Sequence, residues 1–173
     1  MNKGLIHLYC GDGKGKTSAA SGMALRCAGA GGRVVFAVFL KDGTSSEMEM
    51  LKRCPEIEIL CCAENFGFTS QMDGRTREMA RAAYSELFSK AAALGAKADM
   101  VILDEICAAC RHGFVGEDRL LAFLDDPERT AEVILTGRDP SGEMTSRADY
   151  ITCMEKKKHP FDRGIGARKG IEY

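Results

Sequence analysis

The segment Gly11-Asp12-Gly13-Lys14-Gly15-Lys16-Thr17 constrains this chain more than any other. A short apolar run, residues 4–10, comes before it and reads as a strand. Residues 17–30 follow, rich in Ala19, Ala20, Gly22, Ala24 and Ala28, and read as a helix packed closely on a sheet and stopped by glycines. A strand, a glycine-rich loop and a helix in that order aim backbone N–H groups and the positive end of the helix at one spot. Glycine lets the backbone curl around an anion without side-chain clashes. Lys16 supplies a point charge for phosphates, and the Thr17 hydroxyl suits Mg²⁺. The expected ligand is a nucleoside triphosphate. Two departures stand out. Cys10 occupies the place, five residues before Gly15, where the usual pattern has glycine, and Lys14 is an added lysine.

The rest of the chain alternates strands with helices. Residues 34–40 are apolar without alternation, as in a strand covered on both faces. A short helix over 46–53 ends before Pro55. Strands are expected at 57–62, 100–103, 133–135 and 150–154, and a loop at 64–72. A helix over 75–94 carries Met79, Ala83, Leu87, Ala91 and Leu94 at helical spacing, with Gly95 as its stop. A further short helix contains residues 120–124. The basic end, 156–173, is either a flexible tail or a strap over a site. This order predicts an α/β fold: one P-loop NTPase-like domain with a mostly parallel sheet, helices on both faces and right-handed crossovers.

Composition narrows the setting. A chain of 173 residues, 45% apolar, suits one domain with a sizeable core. Its net charge of -1 gives no electrostatic case for nucleic acid or an anionic membrane as main partner. No apolar stretch approaches the ~20 residues of a membrane span. The eight cysteines scatter through apolar segments, and Met1 leads almost directly into a strand-like run. Reduced thiols in a cytoplasm are therefore expected. Cys107 and Cys110 have a metal-like spacing, but the adjacent Cys61 and Cys62 make a poor second half for zinc, so buried thiols are expected. His7 should pack in its strand, His112 should sit in a loop, and His159 should have a structural or tail-docking role. Lys156, Lys157 and Lys158 read as a solvated patch.

A second chemical element is Val101-Ile102-Leu103-Asp104-Glu105. A strand ending in acids puts carboxylates at the carboxyl edge of the sheet, where ligands of open α/β sheets gather. Asp104 or Glu105 can hold Mg²⁺ directly or through water.

Several segments in order carry a wider resemblance. They are Gly11–Ala20, Phe39-Leu40-Lys41, Asn65-Phe66-Gly67-Phe68-Thr69, Leu103-Asp104-Glu105-Ile106, Leu135-Thr136-Gly137-Arg138, His159-Pro160-Phe161-Asp162-Arg163-Gly164-Ile165 and Gly170-Ile171-Glu172-Tyr173. Over nearly its whole length the chain resembles the P-loop type of ATP:corrinoid adenosyltransferase. The resemblance implies transfer of the 5′-deoxyadenosyl group of ATP to the Co(I) of a corrinoid, with triphosphate as leaving group, in adenosylcobalamin biosynthesis or salvage. It implies Thr17 and Glu105 as metal ligands, with Asp104 beside them. It places Gly11, Asp12, Gly13, Lys14, Gly15, Lys16, Thr17 and Ser18 around the nucleotide, Arg26 on the nucleoside and Arg138 near the triphosphate. Phe68, supported by Phe66, would form the apolar wall beneath the corrin that keeps cobalt four-coordinate and eases its reduction. Some members have Trp two residues after this Phe; here it is Ser70. The resemblance further implies a homodimer and an external electron donor, a reductase or a flavin. A conventional P-loop kinase or ATPase, and a nucleotide-gated binding module, are the alternative readings.

Overall fold

The computed structural model describes residues 3–41 and 43–172; Met1, Asn2, Asp42 and Tyr173 lie outside the described residues. Six strands, β1 (Ile6–Cys10), β2 (Val34–Val38), β3 (Ile57–Cys61), β4 (Met100–Asp104), β5 (Glu132–Thr136) and β6 (Tyr150–Cys153), form one sheet in the order β3-β2-β4-β5-β1-β6. Every pairing is parallel. All carboxyl ends therefore meet at one edge, where the loop after β1 lies beside the ends of β5 and β6.

The helices are α1 (Lys16–Gly29), α2 (Ser46–Leu51), α3 (Gly74–Gly95), α4 (Ile106–Arg111), α5 (Glu117–Asp125) and α6 (Gly142–Arg147). The inner strands explain the unbroken apolar runs, because alternate side chains enter two separate cores. Val34, Phe36 and Val38 pack with Ala20 and Ala24 of α1 and with Met48 and Leu51 of α2. Val35, Ala37 and Phe39 pack with α3 residues Ala80, Tyr84, Leu87 and Phe88, and with Ile106, Leu120 and Met144 of α4, α5 and α6. Helices thus cover both faces, as the alternation predicts.

Several boundaries differ from expectation, each for a local reason. The second strand stops at Val38 because Leu40 turns into the left-handed region, with φ 59. The buried stripe of α3 runs through Ala80, Tyr84, Leu87, Phe88 and Ala91, whereas Met79 is exposed. The spacing is helical, but the inward face lies one residue further along than Met79 and Ala83 suggest. Gly95 closes α3, yet its value is close approach: a Cβ there would lie 2.7 Å from Val101 Cγ2. Helices α4 and α6, each six residues, carry too little periodicity to be read from sequence. The loop at 64–72 holds one 3₁₀ turn, Thr69–Gln71, and the tail another, Pro160–Arg163. Within the tail, His159 Nδ1 accepts from the Phe161 amide, a structural role. His7 packs in β1, stacked on Tyr150 and bonded to Glu132.

Candidate active site

The phosphate loop starts one residue later than the usual pattern because Cys10 is still strand, buried and in register with Cys153 of β6. The curl begins at Gly11. Gly13 touches the exit of β6: its amide donates to Met154 O at 2.6 Å, and a Cβ at Gly13 would sit 2.6 Å from that same oxygen. Gly15, with φ 116, turns the chain into α1. No side chain caps α1, and its first turn carries no acid, so its N-terminal field is not offset locally.

The side chains of the loop part company. Lys16 is buried and folds back, donating to Gly11 O at 2.7 Å and Gly13 O at 2.6 Å. Burial lowers its pKa, with Glu105 opposing and Arg138 and Lys41 among the other contributors. Lys14 points the other way, to Ile171 O at 2.8 Å. Asp12 accepts from the Lys156 amide at 3.0 Å, which holds its carboxyl below the usual range. Met154, Lys156 and Ile171 thus hydrogen-bond the end of the chain to the loop. Ser18 is exposed in the first turn of α1, and Arg26 is exposed near its end.

A second group of side chains converges under the loop. Asp104, fully buried at the end of β4, accepts from Thr17 Oγ1 at 3.0 Å, Thr136 Oγ1 at 2.7 Å and Lys41 Nζ at 3.2 Å. Glu105 follows in the left-handed region, φ 62, and its amide donates to Thr136 Oγ1 at 2.9 Å. Its carboxylate lies 3.7 Å from Lys41 Nζ. Burial lowers the Lys41 pKa, but Asp104 and Glu105 more than offset this and hold the ammonium above its ordinary value. Among the described residues, the non-glycine residues with positive φ are Leu40, Glu105 and Asp139, one after each of β2, β4 and β5. Left-handed backbone at such residues clusters where a structure fixes functional groups.

The Thr17, Asp104 and Glu105 oxygens are the hard donors that Mg²⁺ takes, and they already gather one cation, the Lys41 ammonium. These residues fit a divalent metal that draws its other ligands from phosphate and water. Among the described residues no group of three His, Cys, Asp or Glu side chains could hold a metal. Cys107 and Cys110 are instead buried thiols, and burial pushes both up to about 12.

Beside Lys41 opens a cavity of about 330 Å³, bordered by Leu40, Asn65, Phe66, Phe68 and Tyr84. Phe66 packs edge-on against Tyr84 at 5.8 Å, whereas Phe68 is 77% exposed. Phe68 thus presents an apolar ring to solvent at the border of this cavity. Arg138 is exposed at the end of β5, next to the loop.

A sequence model of the family described as ATP:corrinoid adenosyltransferase BtuR/CobO/CobP matches residues 2–173. The chain belongs to this family. It is 36% identical to the corrinoid adenosyltransferase of Pseudomonas aeruginosa over 99% of its own length and 84% of the relative's. It is 31% identical to the corrinoid adenosyltransferase of Escherichia coli K12, covering 99% and 86% of the two chains. Corrinoid adenosyltransferase CobA of Salmonella typhimurium is 29% identical over the same shares, 99% and 86%.

Within this adenosyltransferase fold two residues of the cluster escape sequence reasoning. Lys41 is the first polar residue after β2, and Thr136 is the last of β5. The rule that ligands gather at the carboxyl edge of a parallel sheet marks both positions, but only strand order shows that they meet at Asp104.

Proposed function

We propose that this chain transfers the 5′-deoxyadenosyl group of ATP to the Co(I) of a corrinoid and releases triphosphate, with Mg²⁺ as cofactor. One observation carries the reading. A phosphate loop, a hard-oxygen cluster and an exposed Phe68 share one sheet edge in a chain of the adenosyltransferase family. Gly11, Gly13 and Gly15 would shape the cradle, and Lys16 would face charge growing on the departing triphosphate, joined by Lys14 once it leaves Ile171 O. Lys16 would exchange its loop carbonyls for phosphate oxygens. Thr17 and Glu105 would ligate Mg²⁺, with Asp104 holding Thr17 in place. Bound there, the metal supplies charge stabilisation to the leaving group.

Asp12, Ser18 and Arg26 would bind the nucleotide, and Arg138 would reach the triphosphate. No protein nucleophile is needed, because cobalt attacks C5′, and no base is needed, because no proton moves. What remains is alignment, with cobalt and carbon at roughly 3–3.5 Å. Phe68, with Phe66 behind it, would exclude a lower ligand from cobalt. A homodimer and a reductase or flavin electron donor, implied by the resemblance, and a cytoplasmic location, implied by the scattered free thiols, complete the proposal.

The test mixes ATP, Mg²⁺ and chemically reduced cobalamin or an incomplete corrinoid with the protein. A light-sensitive cobalt–carbon product and stoichiometric triphosphate are expected. ADP and phosphate without corrinoid would point to a conventional ATPase instead. Phe68→Ala should harm the reaction from Co(II) more than from pre-reduced Co(I). Equal loss in both assays would remove the role given to Phe68.

A further inference from the structure

We infer that Lys41 is the second cation of the site: a positioning residue whose ammonium shares the Asp104 and Glu105 carboxylates with the divalent metal and sets how strongly the cluster takes it. The inference rests on the metal reading of Thr17, Asp104 and Glu105.

The geometry is specific. The Phe39 amide bonds Asp104 O at 3.0 Å, tying the end of β2 to the end of β4. Leu40 then turns through φ 59 and delivers Lys41 back over the strand ends. Its Nζ lies 3.3 Å from Thr17 Oγ1, 3.2 Å from Asp104 Oδ2 and 3.7 Å from Glu105 Oε1. Among the described residues Lys41 is the one cation in ion-pair contact with the fully buried Asp104.

An exposed lysine paired with an exposed acid contributes little. Here one partner has no exposure at all, and a buried carboxylate requires a countercharge. The same ammonium stands among the proposed metal ligands, so metal and lysine compete for oxygen and repel each other. Lys41 also borders the cavity of Phe66 and Phe68, so one residue belongs to both the oxygen cluster and that cavity.

The test uses the full chain and Mn²⁺ alone as probe, with free Mn²⁺ read by electron paramagnetic resonance. Lys41→Met should bind Mn²⁺ roughly 3–30-fold more tightly than the parent, the Coulomb repulsion being discounted for partial exposure. Lys41→Arg keeps the charge and should stay within about twofold. The Mg²⁺ concentration giving half-maximal adenosyl transfer should fall in Lys41→Met as well. Unchanged or weaker Mn²⁺ binding in Lys41→Met overturns the inference, since a merely structural lysine gives one of those results. Lys41→Gln repeats the test should the methionine variant fold poorly. Glu105→Gln separates the two levels: if it binds Mn²⁺ as the parent does, the metal reading itself fails, whatever Lys41 does.

Discussion

Replacing Thr136 by valine removes one hydroxyl from the centre of the site and leaves its volume unchanged. That hydroxyl donates to Asp104 Oδ1 at 2.7 Å and accepts from the Glu105 amide at 2.9 Å, and Thr136 has no exposure. Two effects follow. A hydrogen bond to a charged group contributes about 1.5–3 kcal/mol, and the part-buried Glu105 amide, left without its acceptor, costs up to the about 1–3 kcal/mol of a buried one. Valine fills the same space, so no cavity is created. The summed loss is expected at about 3–5 kcal/mol. In a chain of 173 residues this lowers the thermal midpoint by roughly 8–15 °C. Urea unfolding with an unchanged slope measures it directly. Thr152→Val, on the exposed edge strand β6, is the control and should stay within about 0.5 kcal/mol. Because the same hydroxyl anchors the left-handed Glu105, nucleotide binding should weaken alongside stability. A loss below about 1 kcal/mol would refute the idea that Thr136 holds the two acids in place.

Gly13→Ala forces a Cβ to 2.6 Å from Met154 O, a backbone atom that cannot yield cheaply, so ATP affinity measured by calorimetry should fall at least about tenfold while Gly22→Ala, with open space around it, leaves affinity unchanged. Iodoacetamide at pH 8 should label the exposed Cys153 and spare Cys107 and Cys110, whose burial keeps them protonated up to about 12; mass spectrometry showing equal labelling would contradict their burial. Glu172 is held down to about 2, first by Arg168, so it supports the end of the chain above its unfolded pKa and loses that support as pH falls from 4.5 towards 2. The protection of the Arg168 amide, which donates to Glu172 Oε2 at 2.8 Å, should fall across that window when its exchange is referred to the intrinsic rate at each pH, and a flat protection profile would count against the clamp.

The chain order alone shows the strand, glycine-rich loop and helix around residues 11–17, since that geometry is local. Glycines, Lys16 and Thr17 lie within seven consecutive residues, and a strand before and a helix after suffice to aim them. The parallel sheet was legible for a similar reason, because strands buried on both faces leave unbroken apolar runs. Asp104 and Glu105 could be placed at a strand end, but their surroundings could not. Thr17, Lys41 and Thr136 lie 87, 63 and 32 residues from Asp104. Only the order β3-β2-β4-β5-β1-β6 brings those strand ends side by side.

The short helix α4 and the rotated face of α3 also belonged to tertiary packing, which chooses among faces that helical spacing leaves nearly equivalent. The same holds for Lys14 and Asp12. Sequence assigns both to the loop, and the fold shows that each is hydrogen-bonded to the end of the chain. Local chemistry determined what can be bound. Long-range convergence decided which charges surround it, because a buried carboxylate recruits partners by distance in space and not by distance along the chain.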